Sequence, residues 1–294
     1  MIRKAAALGS LLAVVVAVVP MLGGSGVSAA RPFVVGRVHE EWQPEKGKIF
    51  ILIVGNDARH GNPDASRADA IHLVGVNTKT MRGGILNIPR DSWVTIPGSG
   101  SGRINEALYR GGPELLARTV ESITGIRIDY WMMTGFEGFT AAIRELSGVF
   151  MTIPRDIYDP TGSGANLEAG RQRLGGAASL AFVRTRHSFP HGDIDRTTNQ
   201  GKFLLALLKK FRGDIDKNPS SLLKWMSVAQ RHTRFDVSAE EMLRLGVLAT
   251  QMKPGDIGNV TLPVSFGAVG AASVVFIRPE ANGIYDRFRA NGSL

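Results

Sequence analysis

The feature of the sequence that most restricts the fold is a continuous apolar run, IFILIVG, at Ile49–Gly55. An apolar run of this length that ends at glycine is typical of a β-strand buried on both faces. Two further runs, AIHLVGVN at Ala70–Asn77 and ILNIP at Ile85–Pro89, are joined by the turn sequence NTKTMRGG, so we expect them to form a hairpin. These three runs therefore predict strands of a buried β-sheet.

Helical patterns alternate with further strands along the rest of the chain. PELLARTVESITG (Pro113–Gly125) and FEGFTAAIRELSG (Phe136–Gly148) repeat apolar residues at helical spacing and end at glycine. We expect a strand between them in IRIDYWMMT, later helices in LGGAASLAFV, KFLLALLKKF, SLLKWMSVAQ, AEEMLRLGVLAT and PEANGIYDRFRA, and late strands in VTLP and SVVFI. This alternation predicts an α/β fold, a single domain over residues 49–294 with a mixed central β-sheet covered by helices in an α-β-α arrangement.

The N-terminus has the pattern of an export signal. Arg3 and Lys4 precede the apolar stretch LLAVVVAVVPMLGG, and VSAA (Val27–Ala30) offers small residues at a cleavage site. We interpret residues 1–30 as a signal peptide or a signal-anchor, and the polar residues 31–48 as a tether. Both interpretations of residues 1–30 export the remainder of the chain.

The basic composition restricts the partners. The formal net charge is +9 and the isoelectric point is about 10.1. Such a balance suits nucleic acid, an anionic membrane surface or a phosphorylated substrate. Export argues against nucleic acid, because too few residues would remain in the cytoplasm to form a DNA-binding domain. The chain has no cysteine, which excludes disulfides, thiolate catalysis and cysteine–zinc sites.

Charged residues collect where the predicted buried strands end or begin. GNDARHGNPDASRAD separates the first two strands and contains Asp57 and Asp69, and IPRDS ends the third strand with Arg90. If the first two strands pair, both carboxylates lie at the same edge of the sheet, where open α/β sheets build their sites. Two carboxylates with arginines nearby fit a magnesium–diphosphate site, because Mg²⁺ takes oxygen ligands and guanidinium groups bind phosphate oxygens bidentately.

A second concentration of charge lies in FVRTRHSFPHGDIDRTTNQ (Phe182–Gln200), between two predicted helices. A solvated loop would account for it, and so would an anion-binding site that uses its three arginines. Arg103 and Asp195, taken singly, fit surface ion pairs better. The residues themselves leave both interpretations of the segment open.

Four segments, taken together, resemble the LytR-CpsA-Psr family in order and spacing. They are GNDARHGNPDASRADAIHLVGVN, ILNIPRDSWVTIPG, RINEALYRGGPELL and ASLAFVRTRHSFPHGDIDRTTNQ, and the resemblance covers about residues 49–205. It implies an extracytoplasmic phosphotransferase that moves a glycopolymer from a polyprenyl-diphosphate carrier onto peptidoglycan through a phosphodiester link. It also implies Mg²⁺ or Mn²⁺ as cofactor, contact with the membrane surface, and no nucleic-acid partner. The implied location is the outer face of the cytoplasmic membrane, or the cell wall after secretion.

The resemblance also implies roles for individual residues. Asp57 and Asp69 match the metal-ligand positions, and Asp193 matches an acidic position that joins the catalytic set. The other catalytic positions fall on Arg90, Arg184 and Arg186. The substrate-binding positions fall on Arg67, Arg90, Arg184, Arg186, Arg196 and Gln200. For the proton of the attacking hydroxyl, the chain offers Asp193 or Asp91 as acceptor, and positioning of the reactants alone is the alternative.

Two positions depart from the family pattern, and two other functions use the same residues. Asp195 stands where the family often has glycine, and Asn199 stands where it often has arginine. With water as nucleophile, the protein would be a magnesium-dependent pyrophosphatase of lipid diphosphates. Without turnover it would be a module that binds lipid-linked glycans, although binding alone gains little from a metal site. Any lipid-linked donor also requires an apolar slot between helices and sheet.

Overall fold

The fold is built on a seven-stranded mixed sheet. The computed structural model of the protein describes residues 33–37, 47–57, 66–235 and 238–294. The strands of the sheet are β1 (Phe33–Arg37), β2 (Lys48–Asn56), β3 (Ala68–Asn77), β4 (Gly83–Asn87), β7 (Tyr130–Thr134), β12 (Thr233–Phe235) and β13 (Ile257–Thr261). Their order across the sheet is β12-β1-β7-β2-β3-β4-β13.

The three apolar runs that open the domain form the centre of this sheet. β2 pairs antiparallel with β3, and β3 pairs antiparallel with β4, which confirms the predicted hairpin. β7 lies parallel to β2, and β13 lies parallel to β4. Central strands are covered on both faces, which is why their sequences are apolar almost throughout.

Eight further strands form four two-stranded ribbons outside the central sheet, among the residues that the structure describes. The pairs are β5 (Trp93–Ile96) with β6 (Gly100–Arg103), β8 (Val149–Ile153) with β11 (Gly170–Leu174), β9 (Ile157–Asp159) with β10 (Ala165–Leu167), and β14 (Val264–Val269) with β15 (Ala272–Ile277). Only β15 corresponds to a predicted strand. The other seven are three to six residues long, and some expose aromatic side chains, such as Phe150, Tyr158 and Phe266, so they lack the pattern that marks a buried strand.

Seven α-helices are found in the described part of the chain. They are α1 (Glu106–Thr124), α2 (Phe136–Glu145), α3 (Gly176–Arg184), α4 (Asp193–Lys217), α5 (Ser221–His232), α6 (Ala239–Gln251) and α7 (Ala281–Asn291). The backbone of α1 leaves helical geometry at Gly111 and Gly112, directly before Pro113, where the sequence predicts a helix start. Helix α1 ends at Gly125 in the left-handed conformation, as its glycine predicts.

The helices cover the two faces of the sheet unequally. On one face, α1 and α7 pack on Leu52, Val54 and Leu73, which are all 0% exposed. On the other face, α4 to α6 lie over side chains from the same strands that remain half-buried, such as Ile51 and Ile53. Beside that face, α2, α3 and the β8–β11 ribbon form a separate apolar cluster.

The N-terminal predictions meet the structure only in part. The predicted signal segment, residues 1–30, lies outside the described residues. The predicted tether, residues 31–48, contains β1, which pairs with β7 and β12, so the interpretation of Phe33–Arg37 as irregular is wrong. Within the ranges that the structure covers, no helix is both long enough and apolar enough to cross a membrane.

Candidate active site at one edge of the sheet

The ends of β2 and β3 bring two predicted acids to one edge of the sheet. Asn56, the last residue of β2, pairs with Ala68, the first residue of β3. Asp57 directly follows Asn56, and Asp69 directly follows Ala68. The expectation that both acids share an edge is confirmed. Asp57 is exposed, whereas Asp69 is half-buried.

Arg90 connects this edge to two further acids. It follows the end of β4, and its guanidinium donates a hydrogen bond to the Asp69 carboxylate. Its Nη2 atom lies 3.4 Å from Asp193 Oδ1, and its Nε atom lies 3.8 Å from Asp91 Oδ2. Burial alone would lower the pKa of Arg90, but the three neighbouring carboxylates outweigh burial and raise it.

Arg196 lies deeper in the same cluster and is only 4% exposed. Its Nη2 atom lies 2.9 Å from Asp193 Oδ1 and donates a hydrogen bond of 3.1 Å to the Asp69 carbonyl oxygen. Asp193 is the first residue of α4, where the helix dipole favours a negative charge. Burial lowers the pKa of Arg196, and the positive charges of Arg90 and Arg186 lower it further. Arg186 therefore lies close enough to act on the cluster.

The structure corrects the interpretation of Phe182–Gln200 as a segment between two helices. Arg184 is the last residue of α3, and α4 begins at Asp193, so both ends of the segment are helical. The Arg184 guanidinium lies 4.8 Å from the centre of the Phe136 ring, a cation–π contact. Gln200 Nε2 donates to the Val183 carbonyl oxygen at 3.0 Å, which joins α4 to the end of α3.

The remaining predicted residues lie at the rim. Arg67 is exposed and directly precedes β3 beside the two strand-end acids. Arg103, interpreted from the sequence as a surface ion pair, is half-buried and lies 3.7 Å from Asp91 Oδ1, so it extends the cluster. Asp195 contacts His191 at 3.3 Å and remains near the surface, as expected for a surface pair.

Sequence reasoning missed a buried polar group of residues beneath the cluster. His72 on β3 and Asn87 at the end of β4 are 2% and 0% exposed, and the two side chains are hydrogen-bonded to each other. The signal was present, because a histidine interrupts AIHLVGVN and an asparagine interrupts ILNIP within otherwise apolar strands. A polar residue inside a buried strand requires a partner, but the sequence does not identify it.

The acids at the edge fit a hard divalent cation. Asp57 and Asp69 offer only carboxylate oxygens, and Mg²⁺ commonly uses one or two carboxylates and completes its octahedron with water and phosphate oxygens. Among the described residues, no group of three or more His, Cys, Asp or Glu side chains surrounds one point. A cation at this edge would therefore rest on two protein carboxylates and on the oxygens of a ligand.

An apolar cavity lies at the opposite end of β2. Its volume is ≈ 370 Å³, and it lies between α6 and the far edge of the sheet. Ile49 and Thr78 line it from the sheet, and Leu243, Leu245 and Leu248 line it from the helix. β2 has nine residues, and at ~3.3 Å per residue its two ends lie roughly 26 Å apart. The half-buried face of the sheet thus connects a charged edge to an apolar cavity.

This combination defines an α/β protein that gathers a buried Arg196, a half-buried Arg90 and several carboxylates at one edge of its central sheet. The model of the LytR_cpsA_psr family matches residues 30–285. The chain belongs to the LytR-CpsA-Psr family, and its fold is that of the family.

Characterised relatives and solved structures match different parts of the chain. LcpB of Corynebacterium glutamicum, named a probable cell wall biosynthesis protein, is 38% identical over 170 residues, which are 53% of this chain and 40% of LcpB. TagT of Bacillus subtilis, named a polyisoprenyl-teichoic acid–peptidoglycan teichoic acid transferase, is 31% identical over 73% of this chain and 68% of TagT. A solved structure of TagT bound to LI-WTA superposes with a TM-score of 0.69 at 25% identity, over 91% of this chain and 99% of that one. The match thus spans less than half the length of LcpB.

Proposed function

We propose that the protein is an exported phosphotransferase that moves a glycopolymer from a polyprenyl-diphosphate carrier onto peptidoglycan. The observation that carries the proposal is the convergence of Arg90 and Arg196, from β4 and α4, on Asp69 and Asp193. The names of two relatives support the substrate class, because TagT is a teichoic acid transferase and LcpB a probable cell wall biosynthesis protein. TagT has also been solved with octaprenyl pyrophosphate bound.

The arginines would bind the diphosphate. Arg90 and Arg196 are already oriented by carboxylates, so their N–H groups need little rearrangement when phosphate oxygens arrive. Arg67, Arg184 and Arg186 would hold the outer phosphate oxygens; of these, Arg186 lies close enough to Arg196 to lower its pKa. Fixed guanidinium groups of this kind stabilise charge that develops on the bridging and leaving oxygens.

Asp57 and Asp69 would hold Mg²⁺ at the exposed edge. When bound, the cation neutralises charge on the diphosphate oxygens and so favours departure of the leaving group. Asp69 also forms an ion pair with Arg90, so the same carboxylate would link the cation site to the arginine site.

The hydroxyl of the acceptor sugar would attack the phosphorus on the glycan side. A new oxygen–phosphorus bond forms, the bond to the second phosphate breaks, and polyprenyl phosphate leaves. Asp193 already contacts two arginines, which suits it to orienting them. Burial raises the pKa of Asp91, and it outweighs the positive charges of Arg90 and Arg103, which lower that pKa. We therefore propose that Asp91 accepts the proton of the attacking hydroxyl.

The lipid tail would run along the half-buried face of the sheet. Ile51 and Ile53 on β2, and Leu245 and Leu248 on α6, supply half-buried apolar side chains. The cavity at the far end of β2 would receive the distal isoprene units. This arrangement places the protein at the outer face of the membrane, where residues 1–30 would deliver it.

Transfer assays with the purified protein test the proposal. We expect glycan from a polyprenyl-diphosphate-linked donor to become attached to peptidoglycan in the presence of Mg²⁺. Arg90→Ala and Asp69→Ala should each lower transfer by at least about 100-fold with the fold intact by circular dichroism. Arg278→Ala is the matched control, because Arg278 also pairs with an acid but at the exposed surface.

The assay also separates the alternatives. Release of glycan phosphate at equal rates with and without peptidoglycan would indicate a pyrophosphatase instead. Tight donor binding without any product would indicate a binding module. Full transfer by either Arg90→Ala or Asp69→Ala would contradict the proposed site.

A further inference from the structure

A buried polar seam lies between α4 and the sheet, beside Arg196. Its members are His72 on β3, Asn87 on β4, Asn259 and Thr261 on β13, and Thr198 on α4. His72 and Asn87 are fully buried and the other three are half-buried. A polar group buried without a partner costs roughly 1–3 kcal/mol, and all of these side chains are hydrogen-bonded, although His72 Nε2 itself has no partner among the described residues. Nothing in the reaction proposed above uses these residues.

Hydrogen bonds join the seam into one continuous path from β3 to α4. His72 Nδ1 and Asn87 Oδ1 are 2.7 Å apart, and Asn87 Nδ2 donates to Asn259 Oδ1 at 2.8 Å. Asn259 Nδ2 donates to the Thr198 carbonyl oxygen at 3.4 Å. The hydroxyls of Thr198 and Thr261 are 2.7 Å apart. Three strands of the sheet are thereby connected to the second turn of α4.

The contacts of Asn87 determine which nitrogen of His72 carries the proton. Asn87 Nδ2 faces the carbonyl oxygen of Val260 at 3.1 Å, so its Oδ1 must face the imidazole. His72 Nδ1 is therefore the donor and Nε2 is unprotonated. Burial lowers the pKa of His72 to about 4, so the ring stays neutral and keeps this tautomer near neutral pH.

Helix α4 rests directly on the two amide side chains. A Cβ atom on Gly201 would lie 2.5 Å from Asn87 Oδ1 and 2.1 Å from Asn259 Oδ1, so only glycine allows this approach. Gln200 and Arg196 precede Gly201 on the same helix, and both act on the pKa of His72, so both lie near its ring. The seam therefore lies directly against the part of α4 that carries the site.

We propose that His72, Asn87 and Asn259 are positioning residues that set the height and register of α4 on the sheet and so place Arg196 in the anion site. Arg196 must reach Asp193 on its own helix and the Asp69 carbonyl oxygen on β3, at 3.1 Å. A displacement of α4 by about 1 Å would break the second contact, because hydrogen bonds weaken steeply beyond ~3.5 Å. His72 lies on the same strand as Asp69, so one strand carries both the seam and the contact that it positions.

The identity of the anion rests on the proposed function, but the position of Arg196 is a property of the folded chain. The experiment therefore has two readouts on the full-length protein. The first is the ¹H–¹⁵N signal of the Arg196 Nε–H group, assigned by its loss in Arg196→Lys. The second is the affinity for inorganic pyrophosphate with Mg²⁺, measured by calorimetry.

Three variants separate positioning from general stability. His72→Leu removes the donor to Asn87, and His72→Asn retains it, because Asn Nδ2 occupies the place of His Nδ1. Val120→Ala, in the core on the opposite face of the sheet, is the control for a loss of stability alone. We expect His72→Leu to shift the Arg196 signal and weaken pyrophosphate binding by about 10-fold. His72→Asn should restore most of both properties, and Val120→Ala should change neither.

Each outcome decides one question. If the Arg196 signal in folded His72→Leu matches the wild type, the positioning role is overturned. An equal shift in Val120→Ala would overturn it too, since the effect would then be one of stability. If the signal shifts but the wild type does not bind pyrophosphate, the seam positions Arg196 and the proposed function fails. The ¹⁵N shifts of His72 must also report a proton on Nδ1, and a proton on Nε2 would contradict the hydrogen-bond path.

Discussion

The two faces of the central sheet are built from the same strands, yet they differ in polarity and in packing. Under α1 and α7, Leu52 and Leu73 are 0% exposed and contact Leu116 and Phe288 in one continuous core. Under α4 to α6, Ile51, Ile53 and Val74 remain half-buried, and an apolar cavity of ≈ 370 Å³ lies at the far end of the face, whereas His72 is buried in the polar seam. Close packing maximises stability, so the packed face supplies most of the stability of the fold. The loosely packed face has room for a ligand.

The charged edge belongs to the loosely packed face. Helix α4 covers that face, and it carries Asp193 and Arg196 at its N-terminal end. Near its N-terminal end this helix contacts the sheet through the polar seam, and further along Phe203 packs in an apolar cluster. Helix α7 contacts the sheet mainly through apolar side chains, such as the edge-to-face pair of Phe50 and Phe288, and its C-terminal carbonyl groups accept hydrogen bonds from Lys48 and Asn77. Polar contacts have stricter geometry than apolar contacts, which suits a helix that must place a guanidinium accurately.

The largest effect is expected from a substitution of Arg196, under the loosely packed face, which should abolish activity and leave the fold intact. Arg196→Met keeps an apolar stem in place of the arginine stem and removes the charge. We expect transfer to fall by about 100-fold or more, with a melting temperature close to that of the wild type. Transfer within a factor of ten of the wild type would show that Arg196 is not part of the site.

The packed face should behave in the opposite way. Leu116→Ala should lower the free energy of unfolding by about 2–5 kcal/mol, because it opens a cavity in a closely packed core. The fraction that remains folded should transfer glycan at the normal rate. Urea denaturation and activity per folded molecule measure the two effects. Equal losses from Leu116→Ala and from Leu248→Ala, on the half-buried face, would remove the distinction between the faces.

Filling the cavity tests whether the loosely packed face holds lipid. Leu248→Trp places a large side chain in the cavity and should leave the unfolding free energy within about 1.5 kcal/mol of the wild type. We expect the KM for a polyprenyl-diphosphate donor to rise about 10-fold, while pyrophosphate binding remains unchanged. A donor with a short prenyl chain is the control, because it would not reach the far end of β2. Equal effects on both donors would contradict a lipid path to the cavity.

The smallest expected effect concerns pH and the attachment of α5 to α2. Glu145 accepts hydrogen bonds from Arg231 and His232, both at 2.6 Å. Burial alone would raise the pKa of Glu145, but these two contacts outweigh it and lower the pKa below the ordinary value of 4.5. A lowered folded-state pKa stabilises the fold above the unfolded-state value, and this stabilisation is lost as the pH falls through the folded-state value.

We therefore expect Glu145→Gln to be slightly less stable than the wild type at pH 6 and equally stable at a pH well below 4.5. Urea titrations at both pH values measure the difference. The control is Glu240→Gln, which removes an exposed pair with Arg244 at the surface of α6. A Glu145→Gln deficit that persists at low pH would show that packing, and not charge, explains the contact.

Most strands of the central sheet could be predicted because their sequences are strongly apolar. IFILIVG is apolar throughout, AIHLVGVN and ILNIP are mainly apolar, and the structure places these runs in the neighbouring strands β2, β3 and β4 of the sheet. Helix ends at glycine were predictable for the same local reason, as Gly125 shows. Strands β1 and β12 of the central sheet, and the outer ribbon strands other than β15, were missed because short strands have a weak pattern.

The residues of the candidate site could be predicted from the sequence, but the contacts between them could not. The sequence by itself determined the apolar strands, the position of acids at the strand ends and the abundance of arginine, because these depend on local pattern. Only the tertiary structure decided that Arg90 and Arg196 share Asp193, that Arg103 joins the cluster, and that His72 lies beneath α4. The physical reason is that these contacts join residues far apart in the chain, and their distances follow from how a helix is seated on a sheet.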